Sequence, residues 1–353
     1  MSNYPFSYKI TWPVRFVRPS LRGNTPGRLP DRVRFLPKPG QSVRLAFVGD
    51  ISAVANKRPP VFDRELSALL ASADLVIGNC ESPVVDRPSA RMGTRLGTHH
   101  AMTEAFLQGV LAAAGISAGR LVLSLANNHV LDQGAEGFEA TLAALDRLGI
   151  ATIGTTTVVS KLPVGPLTLG LAAFTQWRNA PAEAFSGRVA MAQDFFDTSG
   201  NGLVGAEGAD LVCAVPHWDW EFRHFPRAGT RAWAQRLARL GAGLVVGHHA
   251  HVVQPIARVD DTLVAYGLGD FLGTALARQP WPGRISAILA VDVSADAATR
   301  GEIASYRLVP FMRQRDGECE RMMPLEKVDG DLGTKALARW QAVYGAAPRG
   351  LTS

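Results

Sequence analysis

The stretch VRLAFVGD (Val43–Asp50) is a short apolar run that ends at Gly-Asp. Its continuous apolar character favours a strand buried on both faces. Similar runs follow in the order DLVIGNCE, LVLSLANNH, IATIGT, LTLGLAAFT, DLVCAVPHW, LVVGHHAH, TLVAYGLGD and ISAILAVDV. Helical patterns separate several of them: FDRELSALLASA, AMTEAFLQGVLAAAG, AEGFEATLAALDRLG and TRAWAQRLARLGA. Strands that alternate with helices predict βαβ units, and therefore an α/β fold with buried sheet faces.

The two ends of the chain differ from this regular region, which spans residues 43–330. Residues 1–42 are rich in Arg and Pro, and Asp31 is their only acidic residue. Prolines without periodicity predict an extended arm rather than a helix. The arm is interpreted first as an irregular segment packed on the domain, and alternatively as a basic arm that touches an anionic partner. Residues 331–353 contain LGTKALARWQAVYG, which predicts a closing amphipathic helix followed by a tail.

Composition and charge limit the class of protein. A chain of 353 residues with 47% hydrophobic and 19% charged residues has globular values, so extensive disorder is not expected. The net charge of +6 predicts attraction to anions, such as an anionic small-molecule or polymer substrate. Nucleic acid is not an expected partner, because no recognised binding module or interleaved basic-aromatic stripe occurs.

The cysteines and the apolar segments bear on the compartment. The three cysteines are far apart and form no CxxC pair, which argues against a disulfide framework or a thiolate zinc site. The N-terminal sequence has no apolar segment of signal-peptide length, and no run of about 18 apolar residues suggests a transmembrane segment. These features predict a soluble, cytoplasmic protein, whereas the oligomeric state stays open.

Polar residues of a restricted set of types follow the apolar runs. They are Asp50, Asn79, Glu81, Asn127, Asn128, His129, His217, His249, His251 and Asp270. Ligands of α/β sheets bind outside the carboxyl ends of the strands, so these side chains are expected to converge on one edge. Carboxylate, amide and imidazole ligands suit Mn, Zn or Fe, and the set is large enough for two divalent ions.

Each residue alone has a simpler explanation. Asp50 is also compatible with the start of a loop, the asparagines with turns, and His217 with a packed core histidine. His99 and His100 lie in a Thr- and Gly-flanked loop and are expected at the surface. It is the joint pattern that favours a ligand set.

The three histidines of GHHAH are separated by the alternation of side chains along an extended strand end. His249 and His251 are expected on one side, as ligands of different metal ions. His248 is expected on the other side, where it packs or supports a ligand.

The sequence resembles the CapA-type poly-γ-glutamate capsule synthesis proteins, a branch of the calcineurin-like metallophosphoesterase superfamily. The motifs that carry the likeness occur in the family's order: FVGDI, GNCESPV, SLANNHVLDQG, HWDWEF, GHHAHVVQP and YGLGDF. They cover most of the chain, from about Val43 to Phe271. The resemblance implies a four-layer α/β/β/α sandwich with a dinuclear metal site at the strand ends.

The resemblance also assigns roles to single residues. Asp50 and His251 would bind the first metal ion, and Glu81 would bridge the two ions. Asn128, His217 and His249 would bind the second ion. His129 would be the general acid, and Asp132 would orient its imidazole.

The chain departs from the related patterns at five positions near this site, two of which are Cys80 and Ala250, where leucine and proline are usual. Ser52 stands where ordinary phosphoesterases have a histidine ligand. Asp219 and Asp270 replace a glycine and an asparagine, and they add negative charge that is available to supply the missing ligand or to change substrate preference.

Three functions are compatible with this reading. The first is a metal-dependent hydrolase in which a metal-bound hydroxide attacks a phosphoester or related anionic substrate. The second is a hydrolase of the same geometry that cleaves an amide, such as a γ-glutamyl or peptide bond. The third is a non-catalytic component of anionic polymer (capsule) synthesis with incomplete metal sites.

Overall fold

Two β-sheets lie face to face in the computed structural model, and helices cover the outer face of each sheet. The structure describes residues 2–54, 56, 58–89, 91–94, 97–200, 202–273 and 279–345, with backbone alone at 91–94, 97 and 98. Side chains from both sheets, such as Phe47 and Val215, belong to one buried apolar core. The four-layer α/β/β/α sandwich implied by the resemblance is confirmed.

The strands in chain order are β1 (Arg32–Arg34), β2 (Ser42–Ile51), β3 (Val61–Phe62), β4 (Leu75–Asn79), β5 (Arg91–Thr94), β6 (Gly97–His99), β7 (Leu121–Ser124), β8 (Ala151–Ile153), β9 (Ser160–Val164), β10 (Leu167–Thr175), β11 (Leu211–His217), β12 (Leu244–Val246), β13 (Val253–Val259), β14 (Thr262–Leu268), β15 (Asp270–Leu272), β16 (Ile285–Ser294), β17 (Ile303–Asp316) and β18 (Cys319–Pro324). The α-helices are α1 (Phe6–Val17), α2 (Arg64–Ala71), α3 (Glu104–Ala114), α4 (Gly134–Arg147), α5 (Ala182–Phe185), α6 (Ala192–Ser199), α7 (Ala228–Arg239) and α8 (Gly330–Tyr344). Short 3-10 turns lie at Ala118–Arg120, Trp281–Arg284, Ala297–Thr299 and Leu325–Lys327.

The strand order brings the carboxyl ends of parallel strands together. The larger sheet runs β3-β18-β17-β16-β2-β4-β7-β8, with β1 on β17 and β15 on β2. The smaller sheet runs β13-β14-β12-β11-β10-β9. In the larger sheet β2, β4, β7 and β8 are parallel, and in the smaller sheet β10, β11, β12 and β14 are parallel. Residues that follow these strands therefore collect at one edge of each sheet.

The helices form the outer layers because their apolar faces pack against the two sheets. Leu66 of α2 and Phe138 of α4 join the core against the larger sheet. Phe195 of α6 and Leu237 of α7 form a second apolar cluster against the smaller sheet. Helix α3 ends at Gly115, whose φ of 72° is the left-handed conformation that a helix C-terminus favours for glycine. The apolar runs and helical patterns of the sequence occupy the elements predicted for them, and α8 is the predicted closing helix.

The N-terminal segment differs from the prediction, because residues 6–17 form a helix rather than an extended arm. Pro13 lies inside this helix and removes one backbone hydrogen bond. Tertiary packing offsets that cost: Tyr8 and Arg15 are buried against the domain, and helices in proteins gain most of their stability from such packing. In the part of the chain that the structure describes, no helix is long and apolar enough to span a bilayer.

His224 holds the segment after β11 in place, and its buried imidazole predicts that the folded protein is less stable in acid. Its Nδ1 lies 2.8 Å from the carbonyl oxygen of Val253, and burial lowers the pKa of its imidazole to about 4. The unfolded imidazole titrates near 6.5, so the unfolded chain binds a proton between pH 6.5 and 4 that the native chain does not. Stability must therefore fall as the pH falls through this window.

We expect His224 to contribute a loss of about 2 kcal/mol in the free energy of unfolding between pH 7.5 and pH 5. Urea unfolding at both pH values measures it. His224→Asn retains an amide donor for the Val253 carbonyl, and it should reduce the pH-dependent loss by that amount even if it lowers stability at both pH values. An unchanged loss in the variant would exclude His224 as its source.

Candidate metal centre

The predicted site residues come together where the two sheets meet. Asp50 of β2 is opposite Asn79 of β4, which in turn is opposite Ser124 of β7. In the smaller sheet, β11 ends at His217, which forms an isolated bridge with His248. The loops after these strands carry Glu81, Asn128, His129, His249 and His251. The expected convergence at the carboxyl ends of the strands is therefore present in the fold.

Asp50 connects the two sheets. Its Oδ1 accepts a hydrogen bond from Asn79 Nδ2 at 2.8 Å and lies 3.0 Å from His248 Nδ1. Its Oδ2 accepts a bond from the backbone N–H of His249 at 3.0 Å. Burial opposes ionisation of this carboxyl, but the hydrogen bond and charge of His248 outweigh burial and hold the pKa of Asp50 well below its usual range. A carboxylate is thus fixed at the junction of the sheets.

One group of potential ligands consists of Asp50, His251 and Asp270, whose nearest donor atoms all lie within 4.8 Å of one another. His251 Nδ1 is 3.7 Å from Asp50 Oδ2 and 2.5 Å from Asp270 Oδ1. The other carboxylate oxygen of Asp270 accepts a bond from Arg313 Nη2 at 2.8 Å. Asp270 lies beside Asp50 because β15 pairs with β2.

A second group consists of Glu81, His217 and His249, again with donor atoms within 4.8 Å. His217 Nε2 is 3.5 Å from Glu81 Oε1 and 2.8 Å from Asn128 Oδ1. Glu81 Oε1 also lies 3.7 Å from His251 Nε2, so this carboxylate stands between the two groups. The hydroxyl of Ser52 donates a hydrogen bond to Glu81 Oε2, which fixes the orientation of the carboxylate.

Unpaired buried atoms test whether these residues suit metal ions. Among the described residues, Glu81 Oε1, His248 Nε2 and both ring nitrogens of His249 are buried without a hydrogen-bond partner. Leaving such atoms unpaired costs about 1–3 kcal/mol each. Divalent cations would satisfy Glu81 Oε1 and one ring nitrogen of His249, and the mixed nitrogen and oxygen set is the type that Mn, Zn and Fe accept. The residues therefore fit a metal centre.

The protonation of the same residues is also compatible with ligation. Burial lowers the pKa of His217 and His249 well below the ordinary value, so both imidazoles are neutral at pH 7, as metal ligands must be. Burial raises the pKa of Glu81 to about 8. Burial lowers the pKa of His251, but the charges of Glu81 and Asp270 outweigh it and raise that pKa well above the ordinary value. Glu81 Oε1 and His251 Nε2 lie 3.7 Å apart, so the pair shares a proton that a bound cation would displace.

His129 stands beside these groups with its orientation fixed. Its Nδ1 lies 2.6 Å from Asp132 Oδ2 and 3.3 Å from Asn179 Nδ2, and its backbone N–H donates to Asn127 Oδ1 at 3.1 Å. Its ring stacks on that of His100, with centroids 3.7 Å apart. Burial lowers the pKa of His129, yet the carboxylate of Asp132 outweighs burial and raises it above the ordinary value. The contact with Asp132 occupies Nδ1 and leaves Nε2 as the second ring nitrogen that can carry a proton.

Glu221 is a neighbour of the metal centre that the sequence analysis did not select. Its Oε1 is 3.9 Å from His249 Nε2, and its carboxylate groups with His249 and His251 as a third potential ligand set. Tyr8 and Trp12 of α1 donate hydrogen bonds to this carboxylate. The available signal was its place in HWDWEF, directly after the strand that ends at His217.

The segment GHHAH does not form the extended strand end assumed for it. Strand β12 ends at Val246, and His249 and His251 have φ values of 85° and 52°. The prediction from strand alternation is therefore wrong in its geometry, because left-handed residues interrupt the alternation. The loop nevertheless directs both histidines into the ligand groups, and it places His248 on Asp50.

Two further expectations need correction. His100 is not a surface residue: it is 3% exposed, its ring lies on His129, and its backbone N–H donates to Asp132 Oδ2 at 2.7 Å. Asp219 does not add free charge to the site, because it is paired with Arg227 at 2.8 Å and accepts a bond from Gln254. Of the two added acids, only Asp270 belongs to a ligand group.

With this geometry in place, the chain was compared with known proteins. The model of the bacterial capsule synthesis protein PGA_cap family matches residues 44–275. The chain belongs to this family. The matched range begins in β2 and includes every residue of the two main ligand groups.

Two named proteins are similar in sequence to part of this chain. The chain is 23% identical over 256 residues to the PGA biosynthesis protein CapA of Bacillus subtilis, covering 64% of this chain and 62% of the relative. It is 29% identical over 223 residues to the capsule biosynthesis protein CapA of Bacillus anthracis, covering 59% and 53%. The chain thus spans between half and two thirds of these relatives.

A solved structure of a phosphatase from Mycoplasma pneumoniae aligns with a TM-score of 0.46 and 10% identity. The alignment covers 79% of this chain and 96% of that one.

Proposed function

We propose that this PGA_cap family member is a metal-dependent hydrolase that cleaves a phosphoester or a related anionic substrate. The observation that carries the proposal is the pair of buried ligand groups that meet at Glu81, with unpaired donor atoms on Glu81 and His249. An imidazole with a raised pKa, His129, lies beside them. Ligand groups of this kind next to a proton donor are an arrangement that supports metal-dependent hydrolysis of a stable ester.

The residues divide between two ions. Asp50, His251 and Asp270 would hold one ion, and Asn128, His217 and His249 the other, with Glu81 between them; Asp270 takes the place left by Ser52. Two divalent ions at such a centre lower the pKa of water and neutralise the charge of a phosphoryl group.

The protein's own contribution to the chemistry centres on His129. Asp132 holds its Nδ1 at 2.6 Å and so leaves Nε2 as the nitrogen with a transferable proton. That proton would pass to the leaving-group oxygen as its bond to phosphorus breaks. Burial of the surrounding ligands excludes bulk water and strengthens these electrostatic interactions.

Removal of the metal is the direct test. We expect protein purified without chelator to contain about two equivalents of transition metal and to hydrolyse aryl and alkyl phosphomonoesters. EDTA should abolish the hydrolysis, and Mn²⁺ should restore it. Metal analysis by mass spectrometry with a parallel rate assay measures both. Less than one equivalent of metal, or hydrolysis that survives EDTA and dialysis, would contradict the proposal and favour a non-catalytic role.

A second candidate is hydrolysis of a γ-glutamyl amide at the same centre. The family membership and the relative named as a PGA biosynthesis protein favour it, because a dinuclear centre also activates carbonyl groups. Assay of γ-glutamyl peptides beside the phosphoester panel separates the two candidates.

A further inference from the structure

The N-terminal segment, residues 2–17, is attached directly to the metal centre. Asn3 Nδ2 donates to the carbonyl oxygen of Gln176 at 2.8 Å, and Asn3 Oδ1 accepts from the backbone N–H of Arg178 at 2.9 Å. Five residues further on, in α1, the hydroxyl of Tyr8 donates to Glu221 at 2.7 Å. The chain between these anchors carries Tyr4, so its position over the centre is fixed from both sides.

Tyr4 is held in a stack of aromatic rings. Its ring centroid lies 4.5 Å from that of Tyr8 at 23° and 4.7 Å from that of Trp177 at 14°. The ring of His249, a proposed metal ligand, lies 6.0 Å away at 27°. Stacking on two sides restricts the two side-chain torsions of Tyr4, and its hydroxyl is therefore placed with little loss of conformational freedom on binding a ligand.

The hydroxyl of Tyr4 is unlike those of three other tyrosines of the chain. The hydroxyls of Tyr8, Tyr306 and Tyr344 each donate to a carboxylate or a carbonyl oxygen of the chain. In the described part of the chain, that of Tyr4 is buried without a partner. Buried phenols usually find an acceptor, so an unpaired hydroxyl at this position points to an acceptor that the chain itself does not provide.

Carboxylates of the metal centre and its surroundings act on the hydroxyl of Tyr4. Burial and the carboxylates of Glu221, Glu81 and Asp132 all raise the pKa of Tyr4 well above the ordinary value. The phenol is therefore a neutral donor at physiological pH. Glu81 Oε1, on one of these carboxylates, also lacks a hydrogen-bond partner.

We propose that the Tyr4 hydroxyl is an oxyanion-binding group of the metal centre, and that it donates a hydrogen bond to a phosphoryl oxygen of the substrate. The proposal rests on the proposed function for the class of substrate, but it concerns a binding contact rather than turnover. It makes the N-terminal segment part of the active site, although this segment precedes the region shared with the family. Residues 2–17 would then both supply a contact to the substrate and cover the bound substrate.

Inorganic phosphate provides the test, because it carries the proposed acceptor and binds without turnover. The dissociation constant of phosphate is measured by calorimetry on the full-length, Mn²⁺-loaded protein and on Tyr4→Phe, which keeps the aromatic stack and removes only the hydroxyl. We expect binding to weaken about ten-fold, with unchanged metal content. Tyr306→Phe removes a phenol that bonds to Pro30, and it is the matched control with wild-type affinity.

The outcomes are distinct. Equal affinity in wild type and Tyr4→Phe overturns the proposal, and tighter binding by Tyr4→Phe shows that the phenol blocks the site instead. Absence of phosphate binding by the Mn²⁺-loaded wild type also overturns it. If phosphate binds and Tyr4→Phe weakens it while no ester is cleaved, the contact stands and only the proposed hydrolysis fails.

Discussion

Replacing His249 with alanine is expected to remove one of the two proposed metal ions and to abolish the proposed hydrolysis. The side chain of His249 is 0% exposed, and both of its ring nitrogens lack hydrogen-bond partners. Alanine offers no ligand atom, so the second group retains Glu81, His217 and Asn128 alone. Loss of an outer partner of a metal ligand already costs about 10–100-fold in affinity, and loss of the ligand itself should cost more. Metal titration of the apoprotein measures the effect.

The neighbouring histidine supplies a matched control. His248 contacts Asp50 through Nδ1 at 3.0 Å, and we propose that it positions this ligand without binding the metal. His248→Ala should retain both ions and weaken affinity by no more than about 100-fold. The apoproteins are compared by thermal unfolding to check that each variant folds. Two tightly bound ions in His249→Ala would refute the role of His249 as a ligand. If His248→Ala lost more metal than His249→Ala, His248 would be the ligand and His249 the positioning residue.

Half of this site was predictable because it follows from sheet topology. Asp50 lies near the end of β2, and Glu81 and Asn128 follow β4 and β7; these three strands are consecutive and parallel in the sheet. An apolar run with a polar residue at its end therefore suffices to place those side chains on one edge. The same argument also placed His217 and His249 at this edge, but it assumed one sheet; the family resemblance supplied the second sheet to which their strands belong.

Contacts between distant parts of the chain account for what the sequence analysis missed. Helix α1 contains Pro13 and lacks an acidic residue in its first turn, so its local signals are weak. It forms because Tyr8 and Trp12 bond to Glu221, more than 200 residues away. His100 likewise comes from an unremarkable loop, and it is buried because Asp132 accepts its backbone N–H. Such pairings leave no trace in a local pattern.

The loop Gly247–Val252 shows a more specific limit. Side-chain alternation assigns sides only in extended backbone, and His249 and His251 both have positive φ. Residues in this conformation cost energy unless the surroundings favour it, and they cluster at binding sites. Here the backbone N–H of His249 donates to Asp50, so the turn that breaks the alternation is itself bonded to a proposed ligand.

His129→Ala is expected to lower kcat by about 10²–10⁴-fold while both metal ions remain bound. His129 belongs to neither main ligand group, so its loss should leave metal affinity unchanged. The carboxylate of Asp132 outweighs burial and raises the pKa of His129, so its imidazole keeps its proton to a higher pH than an ordinary histidine. Activity that depends on this proton should therefore decline as the pH rises above that pKa, and the decline should be absent in the variant.

The leaving group makes this prediction specific. A nitrophenolate needs little protonation to depart, whereas an alkoxide needs a proton. We therefore expect His129→Ala to lose much more activity toward an alkyl phosphate than toward p-nitrophenyl phosphate. Asp132→Asn should show the same selectivity in weaker form, because Asp132 acts only through His129 at 2.6 Å. Equal losses toward both esters would mean that His129 binds the substrate rather than protonating the leaving group, and the role of general acid would then have to pass to another residue.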